Sequence, residues 1–210
     1  MRKIKPRWDE NSIVQANTNI DKVVPNDPIW NYVSFSNHPE EKEKNYNTYG
    51  KWLLFVPDEI FVETFRELAK LAADMQLTGS FKASGGDEEG KAHVFCIYCP
   101  NYWNIAFVRK IADTLLKHGF IERFGYRYRD GTRAIYFKTD DTTRYKSRAL
   151  GEHLTLFRYT DRGELFVKEF DENENPSWKL LTSDDSDVVK NFDAHLVGLV
   201  YSEEGDEMDG

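Results

Sequence analysis

The sequence predicts an α+β fold: a curved antiparallel sheet with two or three helices packed on one of its faces. Three observations carry this expectation. Short apolar segments with strand-like alternation are separated by turn residues at hairpin spacing, as at Gly85-Gly86 and Asp130-Gly131. Two longer stretches instead repeat their apolar residues at helical spacing. Strands joined by hairpins run antiparallel, so the interrupting helices can gather on one face and leave the other open.

In chain order, residues 1–27 lack periodicity, contain Pro6 and Pro25, and read as an extended arm. A first strand is expected through Trp30–Phe35, where apolar and polar residues alternate. Lys51–Val56 is a nearly continuous apolar run between Gly50 and Pro57, the pattern of a central strand. Asp58 then reads as a helix N-cap, with Phe61, Phe65, Leu68, Ala72 and Met75 recurring at helical spacing up to Gly79. Strands Ser80–Ser84 and Lys91–Cys99 should form a hairpin. A second helix should run from about Asn104 to His118 and stop at Gly119. Arg123–Arg129 and Arg133–Lys138 suggest a hairpin around Asp130-Gly131. Leu154–Tyr159, Glu164–Phe170 and Trp178–Leu181 suggest a β meander, and Asp185–Leu196 a last helix. Residues 28–200 are thus expected as one domain, with 150–200 either part of its core or an appended unit, and 201–210 as a disordered acidic tail.

Composition narrows the function classes. Hydrophobic residues make up 40% of the chain and aromatics 14%, ample for one buried core. No apolar run approaches the ~20 residues that cross a bilayer, and no apolar signal core follows the basic start. Two cysteines alone suit a reducing compartment, so a soluble cytoplasmic protein is expected, without a membrane partner. The net charge of −8 argues against a duplex-DNA binder. It hides an asymmetry: between Lys117 and Lys168 twelve Lys/Arg stand against seven Asp/Glu, and from Glu169 onward thirteen acids stand against two bases. The middle segment could cradle phosphates, or the acidic end could fold back on it.

The stretch from Gly50 to Phe137 resembles the uncharacterised family of the basophilic leukemia-expressed protein. The residues that carry the likeness are Gly50-Lys51-Trp52-Leu53, Phe81-Lys82-Ala83-Ser84, Val94-Phe95-Cys96-Ile97-Tyr98-Cys99, Leu116 to Phe120, and Tyr126-Arg127 with Thr132. Cys99 stands where the family tends to have Thr, and Arg127 where it tends to have Lys. The resemblance implies a fold like that of translation initiation factor 4E. No Trp-Glu pair matches the cap-reading dipeptide of that factor, and Trp52 is expected in the core.

Lys51, Lys82 and Arg127 are the first candidate site residues, with Arg129 beside them. Each of the three sits in a strand among apolar neighbours that point the other way, which aims it at the open face. A buried or half-buried cation calls for an anion, so a phosphorylated or nucleotide-like ligand is the expected partner, with Tyr98 and Tyr126 as stacking groups. The alternative is that these are solvated charges paired with nearby acids. Some relatives in the family imply a second reading, a phosphothreonine-lyase-like β-elimination. Lys82, Lys91 and His93 would then supply the base and the acid, and Arg127 a phosphate grip. A third reading is a protein-interaction module that docks through the acidic tail or the helices. Cys96 and Cys99 are three apart in a strand and so face opposite ways, which disfavours a shared metal ion. No phosphate-binding or dinucleotide-binding glycine loop is present, and no cofactor is expected.

Overall fold

A computed structural model of the chain describes residues 31–34 (as chain path), 48–75, 77–84, 92–140, 155–173, 175–182 and 189. Its elements are β1 (Asn31–Ser34), β2 (Gly50–Val56), α1 (Phe61–Met75), β3 (Ser80–Ala83), β4 (His93–Cys99), α2 (Ile105–Lys117), α3 (Phe120–Phe124), β5 (Tyr126–Arg127), β6 (Arg133–Thr139), β7 (Thr155–Thr160), β8 (Leu165–Phe170) and β9 (Pro176–Leu180). The strands form one curved, unclosed sheet in the order β1-β3-β4-β2-β6-β7-β8-β9, and β5 pairs with β6. Every pairing is antiparallel. The architecture is therefore α+β, as the hairpin spacing predicts. The expected meander is β7–β9, and it continues the same sheet from β6.

Period-two alternation sends one set of side chains under the helices. Trp52, Leu54 and Val56 of β2, Phe95 and Ile97 of β4, Phe137 of β6 and Phe157 of β7 join Phe61, Phe65 and Leu68 of α1 and Val108, Ile111 and Leu115 of α2 in one buried cluster. Aromatic edges interlock there: Phe61 meets Phe95 at 5.3 Å and Trp52 meets Phe137 at 5.3 Å, both edge-on. The Trp52 indole N–H donates to the Val108 carbonyl at 3.2 Å, which ties β2 to α2. Asn104 caps α2 by accepting the Phe107 N–H at 3.1 Å, and Gly119 ends the turn beyond it at φ 73°.

Three local expectations are corrected. Asp58 does not cap α1. It lies in a 3-10 turn, Asp58–Ile60, and its carboxylate is instead 2.9 Å from Nε2 of His93. The segment after Gly119 is not a strand from Arg123. Phe120, Ile121 and Phe124 are all buried, and the one-sided spacing coils them into α3, leaving two residues, Tyr126 and Arg127, to pair with β6. The strand expected from Lys91 begins at His93. The extended arm 1–27, Lys91, all of the expected last helix but Val189, and the acidic tail lie outside the described residues.

Candidate ligand-binding hollow on the open sheet face

The other set of alternating side chains faces away from the helices. Printed across the sheet by strand register, one row reads Lys82, Cys96, Leu53, Tyr136, Arg158, Phe166 and Leu180. A parallel row reads Tyr98, Lys51, Lys138 and Thr155. On the far side of Tyr136, Tyr126 of β5 stands opposite Ala134 of β6. Apolar, aromatic and cationic side chains are thus interleaved on a surface that curvature makes concave.

The curvature and the β5–β6 hairpin enclose a hollow of about 940 Å³. Leu53 and Phe55 of β2, Tyr136 and Lys138 of β6, Arg158 of β7 and Trp178 of β9 line it, and Tyr126 to Asp130 of the hairpin form its rim. The turn closes on Gly131, whose φ of 87° a side chain would resist. The Tyr128 and Tyr136 hydroxyls are hydrogen-bonded to each other, which holds the hairpin against β6. Tyr126 packs edge-on against Tyr128 at 5.2 Å and is 60% exposed, which leaves ring surface open at the rim.

Arg158 occupies the middle of the hollow. Its guanidinium lies over Phe166 at 4.3 Å, Trp178 at 5.2 Å and Tyr128 at 5.6 Å. These ring faces hold the charge but accept no conventional hydrogen bond, and its Nε is buried without an acceptor. Lys138 stands directly opposite Lys51 on the neighbouring strand. Burial first, and the Lys51 charge second, hold the Lys138 ammonium below the usual lysine range. Lys51 is relieved by Asp140, 2.5 Å from its Nζ. Among the described residues no carboxylate forms an ion pair with Lys138, Arg158, Arg127 or Arg129. Asp130 at the rim is engaged by the Thr132 N–H at 3.0 Å, which lowers its pKa.

The predicted site residues separate into two groups. Lys51 and Lys82 flank the Tyr98 ring, each 5.8 Å from its centre, beside a small apolar cluster of Leu53, Cys96 and Tyr98. Burial in that cluster pushes the Cys96 thiol up to about 11. Arg127, Arg129 and Tyr126 lie at the hairpin rim of the hollow instead. The three cations Lys51, Lys82 and Arg127 therefore do not meet at one point, although Lys51 borders Lys138 within the hollow. Arg127 pairs with Arg133, so by register it is Tyr126, one residue earlier, that shares the face of Tyr136 and Lys138.

His93 is on the opposite side of the sheet from Lys82, because it alternates with Phe95 and Ile97 toward the helices. It is 1% exposed, its Nδ1 is 2.8 Å from the Ser84 carbonyl, and its ring packs on Phe61 at 4.3 Å. His93 and Lys82 are therefore not brought together, and Lys91, the other lysine of the elimination reading, is not among the described residues. Cys96 and Cys99 fall on opposite faces, as their spacing predicts: Cys96 joins the open-face cluster and Cys99 the core. Lys138, Arg158, Tyr128, Tyr136, Lys168 and Trp178 were missed from sequence. The alternation in Ile135-Tyr136-Phe137-Lys138 and Phe157-Arg158-Tyr159 carries the same signal that nominated Lys51.

Residues 42–145 match the sequence model of the family described as basophilic leukemia-expressed protein Bles03. Over that segment the chain belongs to this family. The Bles03 segment contains β2 to β6 and with them most of the hollow, whereas Arg158, Lys168 and Trp178 come from strands beyond it. No match to the chain was found among curated proteins. Among the described residues no helix is long and apolar enough to cross a membrane.

Proposed function

We propose that the open face binds a small, planar, phosphorylated ligand of nucleotide type. The observation that carries this reading is the state of Arg158 and Lys138. Both are partly buried, neither is paired with a described carboxylate, and Arg158 keeps a buried, unbonded Nε. Leaving the Arg158 Nε unsatisfied costs about 1–3 kcal/mol, and a phosphate would give the Arg158 guanidinium and the Lys138 ammonium charge-assisted hydrogen bonds. The exposed Tyr126 ring and its neighbours Tyr128 and Tyr136 supply stacking surface for a base or other flat group. Lys51 and Lys82, the sequence-nominated cations, extend the positive surface on the far side of Leu53. An isolated phosphate would leave the rings uncovered, and an uncharged ring would leave the cations unmet.

A thermal-shift and calorimetry series with mononucleotides, the parent nucleosides and inorganic phosphate tests this. Nucleotides at a hundredfold excess over Kd should add about 2.7 kcal/mol of stability, a rise of about 5–10 °C in Tm. Nucleosides and phosphate alone should do much less. Absence of any response from millimolar nucleotides, with the protein folded, rejects the reading.

A further inference from the structure

We propose that the ligand carries two or more linked phosphate groups: a nucleoside di- or triphosphate laid from the Tyr126 rim toward a cross-strand row of lysines. This rests on the nucleotide reading above and goes further by fixing the length of the anion. Three rows of the open face follow one another along the strands. The first has Tyr126 opposite Ala134, the second has Tyr136 opposite Arg158, and the third has Lys51 opposite Lys138.

Rows two residues apart are separated by about 7 Å at the ordinary strand rise. Arg158 lies one row along from Tyr126 and two strands across, on the other side of β6, a span that the ring and sugar of a nucleoside stacked at Tyr126 fill before the first phosphate. The lysine row is a further ~7 Å away, beyond the reach of a monophosphate. Additional phosphates close that gap.

The lysine row is itself elongated. Lys51 of β2 faces Lys138 of β6, Lys138 faces Thr155 of β7, and Lys168 of β8 donates to the Thr155 hydroxyl at 3.4 Å. Lys168 is 3% exposed and lies 4.9 Å from the centre of the Trp178 ring that also lines the hollow. Three strand spacings of about 4.8 Å separate the ends of this row, so one phosphate cannot serve all of it. Like charges placed directly opposite on neighbouring strands are unfavourable, and Asp140 compensates Lys51 alone. A chain of phosphates passing between Lys51 and Lys138 turns that repulsion into attraction.

The test is calorimetric titration, free of magnesium, of the full chain with the nucleoside, mono-, di- and triphosphate of one base. A single-stranded oligonucleotide of the same base serves as the competitor class. Affinity should rise about tenfold with each added phosphate. Lys138→Gln should cut the gain from mono- to triphosphate to less than about threefold. A flat series from mono- to triphosphate overturns this inference but leaves nucleotide binding standing. An oligonucleotide that binds more tightly than the triphosphate overturns it in favour of a nucleic-acid strand. No binding by any member removes both this inference and the reading beneath it.

Discussion

Alternate residues of β2 enter different worlds. Trp52 and Leu54 are sealed beneath α2 among interlocking aromatic rings, whereas Lys51 and Leu53 look onto a concave surface shared with Lys138, Tyr136 and Arg158. On the helix side, the buried Trp52 indole has the Val108 carbonyl, and buried His93 has Asp58 and Ser84. On the open side, two lysines oppose each other and an arginine Nε has no acceptor. The first face is assembled for stability. The second tolerates local conflict, and conflict of this kind concentrates where a ligand completes the structure.

The contrast breaks most readily with truncations of one strand. Trp52→Ala removes a fully buried indole and orphans the Val108 carbonyl, so it should cost about 3–5 kcal/mol. Phe55→Ala, on the same strand but 46% exposed at the hollow, should cost under about 1 kcal/mol. Urea unfolding midpoints measure both, and equal losses would mean that the open face is a second core. Asp140→Asn comes next in size. It leaves the largely buried Lys51 ammonium beside Lys138 without its carboxylate, at a cost of about 1–3 kcal/mol. Lys51→Gln on that background should restore most of the loss, and a double-mutant cycle showing no coupling would remove Asp140 from the account of this face.

The two faces were not equally legible in the sequence. The helix-facing side could be read from alternation in Trp52, Leu54 and Val56 and from the spacing of Ile105, Val108, Ile111 and Leu115, because burial imposes a period that survives without coordinates. Alternation also sent Lys51 and Lys82 to the open face. It could not say which strand lies beside which. The order β4-β2-β6-β7 sets Lys138 and Arg158 next to Lys51, and sequence-distant pairing of that kind leaves no local trace. Arg127 was misplaced for a local reason. The strand expected there gives way to α3, because Phe120, Ile121 and Phe124 fill a gap over β2 and β6. That shift leaves Tyr126 facing the hollow and carries Arg127 to its rim.

The smallest effect sharpens the contrast most, because its sign is opposite to that of the core truncations. In the absence of ligand, Lys138→Gln removes a cation that faces Lys51 and lies partly out of water. It should stabilise the chain by about 0.2–1 kcal/mol, a gain of about 1–3 °C in Tm. The pH dependence follows from the depressed lysine. Between its lowered folded value and the ordinary 10.5, the unfolded chain binds the extra proton, so wild-type stability gains from this group as pH rises through that window. The variant has no such group, and its advantage should be full at neutral pH and shrink toward pH 10. Burial of Cys96 acts the other way above pH 9, but it acts on both proteins and drops out of the difference. Paired thermal melts from pH 7 to 10 measure the quantity directly. A variant less stable than wild type at neutral pH would show that Lys138 is held by attraction, and the open face would then lack the conflict that points to a phosphorylated ligand.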